Sequence, residues 1–199
     1  MKKILHIISS PKNEGSMSIR LGNAIVDKLL AAYPGSTVTE NNLTISDWPH
    51  LDGAMASAFY TPAEQRTPEN LEALRYSDKA IQEIMEADII VIGAPVYNFS
   101  IHSSLKAWID HIVRRGDTFK YGESGPEGLV KGKKVYLAIS SGGVYSDGPM
   151  KPMDHGEPYL RFMLGFLGMT DVTVFRIEGL SVPGVQETAV EKGLASVAV

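Results

Sequence analysis

The chain has 199 residues, 44 % hydrophobic and 21 % charged, with a net charge of -4 and an isoelectric point near 5.7. That length and balance suit a soluble globular chain with a substantial core, expected as one domain over residues 1–199. The mild acidity argues against a nucleic-acid surface, and the lack of cysteine excludes disulfides, a thiolate nucleophile and Cys-based metal sites.

In chain order, Met1-Lys2-Lys3 precedes the short apolar run Ile4-Leu5-His6-Ile7-Ile8. That run is shorter than the roughly 7–15 apolar residues of a signal peptide and reads as a first strand. No stretch approaches the roughly 20 apolar residues of a membrane span, so a cytoplasmic location is expected. Residues 9–18 form a polar linker dense in hydroxyls. Ile19, Leu21, Ala24, Ile25, Leu29 and Leu30 then give a helical face that ends at Tyr33-Pro34-Gly35. A second strand is expected over 36–43. Residues 44–66 read as irregular, with turn signals at Trp48-Pro49, Asp52-Gly53 and Thr61-Pro62, and so long a connection is often functional. Thr67-Pro68-Glu69 starts the next helix, whose face carries Leu71, Leu74, Ser77, Ala80, Ile81, Ile84 and Met85.

Ile89-Ile90-Val91-Ile92 has no polar alternation and predicts a central strand covered on both faces. Gly93 and Pro95 close it, and Val96, Tyr97, Asn98 and Phe99 follow, as in a loop that holds a flat aromatic ligand. Ser103 or Ser104 then caps a helix with Leu105, Trp108, Ile109, Ile112 and Val113, Trp108 suiting the core or a subunit interface. Arg114-Arg115 are expected to complement its negative end. Residues 117–132 read as a glycine-rich loop. A fourth strand over 134–139 runs into Ser140-Ser141-Gly142-Gly143, a helix covers about 156–168, a fifth strand 172–177, and a last helix follows Pro183-Gly184. Alternating strands and helices predict an α/β doubly wound parallel sheet, and five strands favour the flavodoxin-like order 2-1-3-4-5.

Three loops then meet on the carboxyl edge of that sheet: 9–18, 94–100 and 140–147. Hydroxyls at a helix start can bind phosphate through free backbone N–H groups, although one such serine is expected at any helix cap. Paired glycines after a strand bring backbone donors to a ligand edge, or make a plain turn. Together the loops suit a mononucleotide with a large planar head. No G-x-x-x-x-G-K-[ST] and no G-x-G-x-x-G after the first strand is present, which argues against a nucleotide triphosphatase or a dinucleotide held in the Rossmann manner. An acidic pair after the first strand, needed by a receiver domain, is replaced by Ser9-Ser10. The five histidines are scattered, and His102 and His111 fall on opposite faces of one helix, so no metal site is expected.

Ser9-Ser10 with Ser16-Met17-Ser18, Ala94-Pro95-Val96-Tyr97-Asn98-Phe99, Gly125-Pro126-Glu127-Gly128-Leu129, Ser140-Ser141-Gly142-Gly143, Pro158-Tyr159-Leu160 and Phe166-Leu167-Gly168 run over nearly the whole chain. In order and spacing they resemble the FMN-dependent NADH azoreductase and NAD(P)H quinone reductase family. The resemblance implies that Ser10, Ser16, Met17 and Ser18 hold the FMN phosphate. It implies that Pro95, Val96, Tyr97, Asn98 and Phe99 line the isoalloxazine and that Ser140, Ser141, Gly142 and Gly143 bind its pyrimidine side. Tyr121 resembles a substrate-pocket position over the flavin, its alternative being a loop aromatic packed on a helix. Phe162 and Phe166 suit the core or a subunit contact, Phe162 being also a candidate for facing the substrate. Some relatives carry Arg where this chain has Ser141, so reduction potential does not transfer.

The activity implied is hydride transfer from NADH or NADPH and two-electron delivery to quinones and aromatic azo compounds, ping-pong in one shared slot, with no catalytic side chain. A homodimer is implied, with 44–66 a candidate for covering the partner's flavin. The rival is a flavodoxin-type electron carrier without its own small-molecule substrate, which would be shorter, more acidic and without the 44–66 and 117–132 segments.

Overall fold

The structure, a computed structural model, describes every residue except Asn13, Glu14, Asp47 and Ser124. At its centre is β3 (Ile89–Pro95), buried along its whole length as its unbroken apolar run predicts. Strands β1 (Lys3–Ile8) and β2 (Thr37–Asn42) lie on one side of it, and β6 (Lys134–Ser140) and β7 (Asp171–Ile177) on the other. All are parallel, in the order β2-β1-β3-β6-β7, which is the expected 2-1-3-4-5 arrangement of the sheet strands.

Helices α1 (Met17–Ala32) and α6 (Gln186–Ala195) cover one face, where Leu21, Ile25 and Leu29 pack on Ile89, Val91 and Phe175. Helices α3 (Pro68–Glu86), α4 (Ser103–Ile112) and α5 (Glu157–Leu167) cover the other, with Ile84, Leu105, Trp108 and Leu164 against Leu5, Ile90 and Leu137. Thr67 caps α3 in a reciprocal box with Asn70, and Pro68 occupies its first turn as expected.

Four local expectations are corrected. The 44–66 segment is not wholly irregular: α2 (Gly53–Tyr60) starts where the Asp52 side chain accepts from the Met55 amide at 2.8 Å, and it buries Met55 and Ala58 on α3. Its Gly- and Ala-rich sequence gives too weak an apolar face to announce a helix. The 117–132 segment contains an antiparallel hairpin, β4 (Phe119–Gly122) with β5 (Gly125–Gly128). Helix α4 is capped by His102 rather than by Ser103 or Ser104, its Nδ1 accepting from the Ser104 amide at 3.2 Å. Arg114, expected at the helix end, is instead buried, pairing with Asp78 and Asp117 at 2.7 Å and donating to Ser77.

Candidate functional site

Strands β1, β3, β6 and β7 all end on one edge, and the loops leaving them build the site. The Ser9 hydroxyl, buried at the end of β1, donates to the Gly93 carbonyl at 2.7 Å and joins the first loop to the central strand. A Cβ at Gly93 would lie 3.5 Å from the carbonyl oxygens of Ile7 and Ser18, in ordinary van der Waals contact, so the two loops close tightly around it. Ser16 caps α1, its Oγ 3.5 Å from the Ile19 amide and 3.1 Å from Ser18 Oγ. No acidic residue occupies the first turn of α1, so its own first turn leaves the positive helix end available to an anion.

The second loop carries the structure's backbone strain. Among the described residues, only Asn98 (φ 48°) and Phe99 (φ 66°) are non-glycines in the left-handed region. Tyr97 and Ser100 exchange both backbone hydrogen bonds around them, at 2.9 and 3.0 Å, the geometry of a tight two-residue turn with positive φ at both centres. Asn tolerates that conformation, but Phe does not readily do so. Such strain, of order 1–3 kcal/mol per residue, persists where surrounding structure enforces it, often at ligand sites.

The third loop is tied to the segment after β7. Ser141 donates its amide to Ile177, while the carbonyls of Ser141, Gly142 and Gly143 accept from Leu180, Ser181 and Gly179. Ser141 Oγ donates to the Gly143 carbonyl at 2.8 Å. Among the described residues, no backbone carbonyl accepts from the Gly142 or Gly143 amides. A Cβ on Gly142 would come to 3.0 Å from Ser181 Oγ, and one on Gly143 to 2.9 Å from the Tyr145 ring. At Gly142 that neighbour is a hydroxyl, whereas at Gly143 the Tyr145 ring would have to shift.

These loops enclose an open pocket of about 390 Å³. Ser10, Ser16 and Met17 line one end, Pro95, Val96 and Tyr97 one side, and Ser140, Ser141 and Gly142 the other. Ser18 stands behind Ser16 and is fully buried. Asn98 faces the neighbouring groove, and Phe99 meets the Tyr145 ring edge-on at 6.1 Å between centroids. Gly143 lies just beyond the lining. Tyr121 and Phe162 are 62 % and 69 % exposed and line neither cavity; Tyr121 packs edge-on against Phe119 in the hairpin.

Sequence reasoning missed Lys12, Leu180 and Ser181, which also line the pocket. The last two follow the fifth sheet strand, whose carboxyl end belongs to the same edge as the others, so topology alone pointed to them. The start of α1 beside Lys12, a slot between two loops, and the Gly142 and Gly143 amides, from which no backbone carbonyl among the described residues accepts, fit a phosphorylated planar ligand such as FMN. Among the described residues, no group of three or more His, Cys, Asp or Glu side chains is placed to hold a metal.

A second groove, of about 750 Å³, adjoins this pocket across Tyr97 and is bordered by Asn98, Ile101, His102, Lys106, His155 and Tyr159. The His155 amide donates to the Phe99 carbonyl at 3.0 Å, tying this groove to the strained turn.

Comparison with known proteins matches residues 2–198 to the Flavodoxin_2 family, described as having a flavodoxin-like fold. A relative from Herminiimonas arsenicoxydans, an FMN-dependent NADH:quinone oxidoreductase, is 50 % identical over 181 residues, covering 91 % of this chain and 89 % of its own. A crystal structure of azoreductase from Bacillus anthracis str. Sterne superposes with a TM-score of 0.91 at 32 % identity, over 98 % of this chain and 96 % of that one. An FMN-dependent NADH-azoreductase from Bacillus anthracis str. Ames Ancestor, in complex with FMN, gives 0.86 at 29 % identity, over 98 % of this chain and 97 % of that one.

Proposed function

We propose that this chain, which belongs to the flavodoxin-like family that includes the FMN-dependent NADH:quinone oxidoreductases, acts as such an enzyme on quinones and aromatic azo compounds. The carrying observation is a single pocket that joins the start of α1 to a slot between residues 95–97 and 140–142. FMN held there would supply the redox chemistry, two-electron transfer from NADH or NADPH to the acceptor.

The protein's part is to bind, orient and tune. Ser10, Ser16, Met17 and Ser18 hold the phosphate with hydroxyls and backbone amides, and Lys12 adds a positive charge. Pro95, Val96 and Tyr97 form one wall of the ring slot, with Asn98 and Phe99 fixing its outer end. Ser140, Ser141, Gly142 and Gly143 form the other, where the free Gly142 and Gly143 amides donate to the pyrimidine edge and stabilise negative charge there. Ser141 brings no charge, its hydroxyl being engaged by the Gly143 carbonyl.

One exposed slot serves donor and acceptor in turn, which makes the kinetics ping-pong. We further infer a cytoplasmic homodimer in which Tyr121 and Phe162 reach a substrate site completed by both subunits. Their exposure in the single chain and the exposed Leu51 and Tyr60 about α2 support that reading. Among the described residues, no helix is long and apolar enough to cross a membrane.

An anaerobic visible spectrum tests the assignment. Yellow protein that bleaches with NADH and recovers with a benzoquinone supports it. Colourless protein that takes up no added FMN overturns it, and bound flavin that ignores both nicotinamides marks an electron carrier instead.

A further inference from the structure

We propose that Glu178 is a positioning residue for the bound flavin. Its carboxylate holds the 141–146 turn, and its charge opposes reduction of the ring beside that turn, so that electrons pass on to weak acceptors such as azo compounds. The inference rests on the reductase reading and deepens it.

Glu178 is the first residue beyond β7. Its Oε2 accepts from two successive amides, Tyr145 at 2.9 Å and Ser146 at 3.1 Å, and its Oε1 accepts from the Ser146 hydroxyl. Two neighbouring N–H groups converging on one anion form a small nest of backbone dipoles, here filled by the chain's own carboxylate. That side chain is only 18 % exposed, and hydrogen bonds to a charged group are the stronger kind.

The next three residues continue the attachment. Gly179 donates to the Gly143 carbonyl at 3.0 Å, Leu180 to Ser141 at 3.3 Å and Ser181 to Gly142 at 2.9 Å. In a trans peptide the C=O and the following N–H point in opposite directions. The Ser141 and Gly142 carbonyls therefore turn the Gly142 and Gly143 amides away from this segment, and Glu178 ties down the far end of the same turn.

The charge is not cancelled locally. Asp154, Glu157 and Glu178 stand around the single Arg176 guanidinium, and Arg176 Nη1 is 3.9 Å from Glu178 Oε2, beyond hydrogen-bond reach. Three carboxylates against one cation leave the cluster negative, with little water to screen it. Two-electron reduction adds negative charge at the pyrimidine edge. The Gly142 and Gly143 amides favour that charge, and the Glu178 carboxylate behind them opposes it.

The test uses Glu178→Gln, which keeps the shape and an accepting oxygen without the charge, and Glu178→Ala, which removes both. In Glu178→Gln the midpoint potential of bound FMN should rise by about 30 mV, equivalent to a tenfold change in a two-electron equilibrium. Reoxidation by 4-dimethylaminoazobenzene should slow severalfold, while reoxidation by benzoquinone, a stronger oxidant, keeps its rate. In flavin-free protein, hydrogen exchange at the Tyr145 and Ser146 amides should quicken about tenfold in Glu178→Ala and much less in Glu178→Gln.

An unchanged or lowered potential in Glu178→Gln overturns the proposal, as does unchanged exchange in Glu178→Ala. Equal slowing with both acceptors also overturns it, since a distorted site and not a shifted potential would then be the cause. Protein that takes up no flavin refutes the reductase reading, whereas normal uptake with an unmoved potential refutes this proposal alone. The exchange measurement decides in either case whether Glu178 holds the turn.

Discussion

Arg176 Nη2 donates to Asp154 Oδ2 at 2.6 Å, and both side chains are at least nine-tenths buried. The same guanidinium reaches Glu157 at the start of α5 and lies 3.9 Å from Glu178. Glu178 in turn accepts from the amides of Tyr145 and Ser146. One cation on β7 thus fixes two segments that flank the strained Asn98-Phe99 turn.

Replacing Arg176 by Met leaves three carboxylates facing one another with little solvent. Breaking a buried pair in this way costs about 3–5 kcal/mol. Urea unfolding should show that loss, and FMN should bind more weakly as the Tyr145 turn loosens. An unfolding midpoint equal to wild type would show that the cluster carries no net stability.

His6 links stability to pH. It is buried in β1 with Nε2 unpartnered, and burial pushes its pKa down to about 4 from 6.5. Between those values the unfolded chain binds a proton that the folded chain does not, so this contribution is present above pH 6.5 and is lost as pH falls towards 4. The full change is about 3 kcal/mol. Unfolding of His6→Leu, followed from pH 7 to pH 4, should lack that slope, whatever its absolute stability.

Gly143→Ala tests the glycine turn. The added Cβ meets the Tyr145 ring at 2.9 Å, so the ring, which touches Phe99, must move. FMN affinity, read by quenching of flavin fluorescence, should fall about tenfold, against an unfolding cost of about 1–3 kcal/mol. Unchanged affinity would remove this turn from the binding site.

Phe99→Gly separates strain from function. Glycine relieves the left-handed backbone at φ 66° but frees the unfolded chain and removes the contact with Tyr145. These effects oppose one another, so the thermal midpoint should move by less than about 4 °C. FMN affinity should nevertheless drop, because the turn is no longer held in one geometry.

Lys12→Gln addresses the phosphate. Lys12 is exposed at the pocket rim, where a charge contact contributes up to about 1 kcal/mol. FMN dissociation should rise about threefold to fivefold and become less sensitive to salt. Riboflavin, which has no phosphate, should show no such difference between the two proteins.

Much of this was legible before any coordinates. Ile89 to Ile92 announced a central strand because an unbroken β-branched run has no face to give to water. The alternation of strands and helices then placed the loops after Ile8, Pro95 and Ser140 on one edge, since right-handed crossovers leave no other arrangement. Gly142 and Gly143 stood out as a place where backbone amides could approach a ligand edge, and no backbone carbonyl among the described residues accepts from those two amides. Helix α2 and the 119–128 hairpin escaped notice because Gly-Ala-Met-Ala and Gly-Pro-Glu-Gly carry almost no periodic apolar signal; what holds α2 is its docking on α3.

The sequence by itself determined the fold class, the carboxyl-edge loops and the type of ligand they suit, because hydrophobic period and turn chemistry are local properties. Only the tertiary structure decided which side chains meet across the chain. His102 became a helix cap by accepting from the Ser104 amide, Arg114 was drawn inward by Asp78, and Arg176 was surrounded by Asp154 and Glu157 from the start of α5 together with its near neighbour Glu178. Charge pairing over long sequence separations leaves no period to read, and its partners are selected only when the elements that carry them have packed.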